Sequence, residues 1–163
     1  PHNNSRDSPA FQNDPCTLPV TDFPAGAFTG LALTHLIDWI VKGKTPPRAL
    51  PIAVDRDPSG DGSPLALDEH GNARGGVRNV WVDVPVATYG VFGKGKTTAT
   101  DRLCQLAGTK VPLSQAALKS LYPSRAEYVK RLDQRLAELV RDGWFLPEYE
   151  GLVRGDAKTA ALP

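Results

Sequence analysis

Between Ala25 and Lys42 the chain carries more apolar surface than one narrow helix face can hold. Phe28, Leu31, Ala32 and Leu36 recur at helical spacing, and Leu33, Ile37, Ile40 and Val41 widen the stripe. A helix apolar over so wide an arc is usually buried against a sheet or several neighbours. Asp22 and Pro24 suit its start; Gly43 and the Pro46-Pro47 pair suit its stop. Thr29, Thr34, His35 and Asp38 interrupt it, so it is too short and too polar to span a bilayer. The fold must therefore offer this helix a broad apolar partner. Residues 1–24 do not provide strands for one: Pro9, Pro15, Pro19 and Pro24 make that stretch a loop.

Beyond the helix, Leu50 to Val54 is a short strand candidate. Leu65 to Asp68 and Gly76 to Val84 read as the arms of a hairpin around His70-Gly71-Asn72. Val80, Val82 and Val84 alternate with Trp81 and Asp83, which predicts one buried face. Residues 90–100, rich in Gly, Lys and Thr, read as an exposed loop, and the remainder as helical. Ser114 to Leu121 is a short helix. Ser124-Arg125-Ala126-Glu127 has the pattern of a capping box. Tyr128, Leu132, Leu136, Leu139 and Val140 form the stripe of a longer helix ended by Gly143. With 15 Pro and 15 Gly in 163 residues, short elements and many turns are expected. No linker divides the chain into independent units.

Charge excludes some partners. Nineteen basic residues against 18 acidic ones give a net charge of +1, with nothing to attract nucleic acid or an anionic membrane. There is no Met, so the chain is read as beginning part-way through its gene product. Cys16 and Cys104 form no CxxC motif, and spacing alone leaves two buried thiols and one bridge equally open.

Four motifs bear on chemistry. Gly90-Val91-Phe92-Gly93-Lys94-Gly95-Lys96-Thr97 fits the phosphate-loop pattern G-x-x-x-x-G-K-[ST]. Such a loop wraps phosphates with backbone amides and reaches them with Lys96. It requires a buried parallel strand before it and a helix after it. Pro85 and the Thr97–Thr100 run argue against both, and no later strand supplies a magnesium-binding Asp. A flexible basic loop is the preferred reading. Asp55, Asp57, Ser59, Gly60 and Asp61 resemble the start of a calcium loop, but Ala66 stands where a bidentate Glu belongs. His35 lies in the apolar stripe and reads as a packing residue, His70 as exposed in a turn. No metal site is expected. His2 stands at the start of the loop that leads into helix 25–42.

Several stretches together resemble the C-terminal portion of a family of exported α/β-hydrolase domain proteins. These are Leu36-Ile37-Asp38-Trp39-Ile40-Val41-Lys42-Gly43-Lys44-Thr45-Pro46-Pro47, then Asp68-Glu69-His70-Gly71-Asn72-Ala73-Arg74-Gly75-Gly76-Val77-Arg78 continuing through Val82 to Tyr89. Cys104 to Leu113 follows, with Leu121-Tyr122-Pro123-Ser124 and Tyr128, and finally Gly143-Trp144-Phe145-Leu146-Pro147. The resemblance implies an α/β fold: the C-terminal part of an α/β hydrolase, extended by a β-hairpin and helices. Residues 1–47 would supply the histidine loop and a core helix. Residues 48–163 would form the extension packed on the same domain.

It further implies that His2, in Pro1-His2-Asn3-Asn4, corresponds to the histidine of a Ser-His-acid triad. The G-x-S-x-G nucleophile and the acid would lie on an upstream half, the chain's expected partner. The activity implied is hydrolysis of small ester-type substrates, with no cofactor. Export favours a Cys16–Cys104 bridge and a secreted or periplasmic location. Two rival readings are a phosphate-loop nucleotide-binding protein and a non-catalytic interaction module.

Overall fold

The computed structural model describes residues 9–11, 13–55 and 65–162. Helix α1 spans Ala25–Lys42, as the apolar spacing predicts. Gly43 closes it at a φ of 67°, a left-handed value that glycine adopts without a Cβ penalty, and its N–H reaches back to the carbonyls of Asp38 and Trp39. One face of α1 meets the body. Ala27 and Leu31 are buried there, and Phe28 joins an aromatic cluster with Phe23, Trp81 and Phe145, ring centroids 5.0–6.4 Å apart. Farther along, His35 Nε2 lies 2.7 Å from the carbonyl oxygen of Gly143.

The hairpin turn is where the sequence places it. The Asp68 amide donates to Asn72 O at 2.8 Å, and Leu67 bridges Ala73. The arms differ from expectation. Ile52 bridges Gly75 and Val54 bridges Leu65, so residues 52–54 thread between the two arms. The second arm ends at Gly75 and Gly76, both at positive φ. Val80–Asp83 is then a single helical turn, α2, not a strand. Asn79 starts it by accepting the Val82 amide. Burial of Val80, Trp81 and Val84 follows the i, i+1, i+4 pattern of a helix. Alternating valines suggested period two; the cap and the two glycines decided otherwise.

A two-stranded antiparallel sheet follows: β1 (Ala87–Gly90) pairs with β2 (Thr109–Pro112), with Ala87 opposite Pro112 and Gly90 opposite Thr109. Helix α3 (Thr98–Leu106) connects the two strands. Residues 90–100 are thus not simply a loop, and the chain after them is not wholly helical. The Thr run expected to be a poor first turn is an N-terminus. Thr97 accepts the Thr100 amide, and Thr100 returns a bond to the Thr97 amide. Helices α4 (Gln115–Leu121), α5 (Arg125–Arg141) and α6 (Glu150–Thr159) complete the chain. At α5 the Ser124 hydroxyl accepts the Glu127 amide, while the Glu127 carboxylate turns to Arg131 and completes only half of the expected box.

The α5 stripe is the centre of the core. Tyr128, Leu132, Leu136 and Leu139 are each 4% exposed or less, packed with Val80, Trp81, Val84, Leu118 and Val153. Residues 15–22 run along the β2 side as a strap. Val20 bridges Thr109, and the Thr21 and Lys110 amides donate to Gly108 O and Pro19 O. Among the described residues no helix is long and apolar enough to cross a membrane.

Candidate functional site

The most prominent candidate surface is the outer side of α1. Its exposures are 53% at Leu33, 46% at Leu36, 57% at Ile37, 74% at Ile40 and 73% at Val41. At 100° per residue Leu33, Leu36 and Ile40 lie within about 40° of the point opposite Ala27 and Leu31, Ile37 lies at the edge of that arc, and Val41, at the helix end, lies on the Ala27 side. The wide stripe therefore splits into two faces. One is covered by the aromatic cluster, and the other presents Leu33, Leu36, Ile37 and Ile40 to solvent, joined by Val41 at the helix end. Contiguous exposed apolar surface of this kind marks an interaction site more often than a bare exterior. Leu50, Ile52 and Val54, at 79%, 57% and 60% exposure, add a second apolar strip.

Beside α1 lies an apolar cleft of about 390 Å³. Phe28, Leu36, Trp39 and Trp144 line it, and His35 is its one titratable side chain. His35 is held by Gly143 O rather than by a carboxylate or a hydroxyl, so it matches the packing role read from the sequence. His70 lies in the hairpin turn, its ring 3.7 Å from Glu69. It is less exposed than a turn position suggested, at 20% of the side chain.

The phosphate-loop motif is in the wrong state for phosphate. Its strand, β1, is antiparallel to β2. Its amides are turned inward: Gly93 N–H donates to Cys104 O at 3.0 Å, Gly95 N–H to Asp101 Oδ1 at 3.0 Å and Lys96 N–H to Pro15 O at 2.9 Å. Lys96 Nζ donates to Asp14 at 2.5 Å. A phosphate would have to displace each of these and approach the Asp101 carboxylate. A Cβ at Gly95 would collide with the Asp101 backbone, so this glycine serves close packing on α3. The sequence match was complete, but the nucleotide-binding reading loses its physical basis.

Cys16 and Cys104 form a disulfide with Cα atoms 5.7 Å apart, both cysteines at most 2% exposed. It fastens the strap ahead of α1 to α3. Among the described residues, no three His, Cys, Asp or Glu side chains are grouped to hold a metal. His2, and the calcium-like positions Asp57, Ser59, Gly60 and Asp61, lie outside the described residues.

One cluster escaped the sequence reading. Arg78 donates to Asp68 Oδ2 and Asp83 Oδ1, both at 2.6 Å, and to the Ala73 carbonyl at 2.5 Å. Arg135 on α5 donates to the other Asp83 oxygen at 2.8 Å. Burial raises the Asp68 carboxyl, but the Arg78 hydrogen bond and the Asn72 and His70 amides outweigh it and hold it below the usual range. The available signal was an acid and an arginine ten residues apart across a tight turn, which a hairpin brings face to face.

The model of a family described as alpha/beta hydrolase domain matches residues 2–153, most of the chain. No curated protein and no solved structure matches it.

Proposed function

Because this chain belongs to the alpha/beta hydrolase domain family, we propose that it is the C-terminal portion of a serine hydrolase that cleaves ester-type acyl bonds. The nucleophile, the acid and the oxyanion amides belong in this reading to an upstream segment or separate chain. The observation that carries it is the uncovered outer face of α1. An α/β domain places helices on a sheet of several strands. The sheet of the described residues has two strands of four residues, too small to cover α1. A sheet from the upstream partner would cover Leu33, Leu36, Ile37, Ile40 and Val41, each worth roughly 1.5–3 kcal/mol when fully buried.

The chemistry assigned is acyl transfer to Ser and then to water. His2 takes the proton from Ser as it attacks the carbonyl carbon, then returns it to the leaving alkoxide. The same His activates water for deacylation, and backbone amides stabilise the oxyanion in both steps. No cofactor enters. The buried disulfide supports a secreted or periplasmic site of action.

The test is reconstitution with the upstream polypeptide of the same gene product. A fluorophosphonate probe is expected to label Ser on that polypeptide and never this chain. His2→Ala is expected to lower kcat for a nitrophenyl ester by about 10³-fold or more. Full activity in His2→Ala, or an assembly with no esterase activity, contradicts the reading and leaves an interaction module in its place.

A further inference from the structure

The apolar cleft beside α1 is assembled from separate segments. Helix α1 lines it with Phe28, Leu31, Ala32, His35, Leu36 and Trp39, of which Leu36 alone belongs also to the outer arc. Pro46 and Pro47 come from the segment after α1, Val77 from the segment after the hairpin, and Trp144 from the turn after α5. No carboxylate, ammonium or guanidinium is among these lining side chains. The one ring that titrates has a defined tautomer. The Gly143 carbonyl can only accept, so His35 Nε2, 2.7 Å away, carries the hydrogen. In the neutral ring that leaves Nδ1 as an acceptor, with no hydrogen-bond partner among the described residues. Asp38, one turn along α1, is bonded instead to Lys42 Nζ at 2.7 Å. Trp39, 54% exposed, adds an aromatic surface that the fold leaves largely uncovered.

We propose that this cleft binds a small hydroxylated aromatic molecule of the phenol class, its ring against Trp39 and Trp144 and its hydroxyl donating to His35 Nδ1. The indoles and prolines supply apolar contact area, and ring–ring contacts add to plain area burial. A wholly apolar guest would cover Nδ1 without giving it a donor, and the lost hydration would count against binding. A phenol brings that donor on an otherwise apolar body. A carboxylate or phosphate would meet no cationic side chain in the lining, and a metal ion would find one ligand there. At about 390 Å³ the cleft lies near the small end of ligand pockets, roughly 300–1,000 Å³, which suits one ring with its substituents. Packing thus holds one nitrogen of His35 and leaves the other for a ligand. The inference does not rest on the hydrolase reading, because neither His2 nor the upstream polypeptide takes part.

Titration of the nitrogen-15-labelled chain with p-cresol, and with toluene as the same ring without the hydroxyl, tests it by NMR. p-Cresol is expected to saturate at about millimolar concentration or below. It should shift the His35 Nδ1 resonance toward that of a hydrogen-bonded acceptor and leave Nε2 little changed. Toluene is expected to bind about tenfold more weakly or worse and to leave Nδ1 in place. Trp39→Ala is expected to weaken p-cresol binding severalfold with an unchanged circular dichroism spectrum. Toluene binding as tight as that of p-cresol, an Nδ1 resonance unmoved at saturation, or no saturable shift overturns the proposal. So does unchanged binding by a folded Trp39→Ala protein. Self-association that blocks p-cresol gives the cleft to a second copy of the chain and overturns it too. Should Trp39→Ala fail to fold, the toluene comparison and the Nδ1 shift of the unsubstituted chain decide.

Discussion

Arg78 shows how one side chain can fix a region that has little regular structure. Its fork joins the hairpin turn through Asp68 and Ala73 to α2 through Asp83, and Arg135 carries the network on to α5. Both partners of the first pair are mostly buried, at 24% and 10% side-chain exposure. Arg78→Ala is therefore expected to cost about 2–4 kcal/mol in urea unfolding, because it strands Asp68. Arg78→Lys keeps the charge but loses the fork, and should fall between. The pH dependence has a definite sign. The Asp68 carboxyl is lowered when folded, so its contribution is fully present above its unfolded value near 3.8. It is lost as pH falls through the lower folded value. Urea midpoints of the unsubstituted chain should drop over that acid window, and Asp68→Asn should show a smaller drop there.

At the scale of elements, α1, α4 and α5 were legible because their apolar spacing and stop signals agree. Ser124 caps as the sequence implies, while Ser114, read as the first helical residue, is the cap of α4. The second hairpin arm was not legible, because Val80, Val82 and Val84 satisfy a strand pattern over a stretch as short as one helical turn. The β1–β2 pair was hidden by its length: four residues on each side carry no periodicity. Helix α3 was hidden by chemistry, since its capping box uses Thr100 where a Glu or Gln is usual. Thr97→Ala should accordingly cost about 0.5–2 kcal/mol and fray α3 in amide exchange. The wide α1 stripe was read correctly as apolar, but composition alone does not say which arc this chain covers. Ile37→Asp combined with Ile40→Asp should leave the unfolding midpoint nearly unchanged and reduce binding of a hydrophobic dye. A large loss of stability would mean that this face is already buried.

The whole molecule is a helical body around α5, closed by a strap that the Cys16–Cys104 bridge fastens across 88 residues of sequence. A loop of that length gives roughly 4–5 kcal/mol by the chain-entropy relation. Reduction, or Cys16→Ala with Cys104→Ala, is expected to lower stability by about 2–5 kcal/mol, read as a shift in the urea midpoint at constant slope. Spacing left that pairing open and the family resemblance favoured it; the folded strap brings the two cysteines together. His2 was singled out by resemblance alone, because a single His in a proline-rich stretch of sequence has no spacing signature, and it lies outside the described residues. In the proposed reading, the uncovered outer arc of α1 is an internal surface of a larger enzyme. Thiol labelling of an Ile40→Cys protein measures this most directly, with and without the upstream polypeptide. The account predicts rapid modification of the chain alone and protection by about 100-fold or more in the assembly, the scale of a residue reached only by opening worth about 3 kcal/mol. Equal modification rates in a catalytically competent assembly would contradict it.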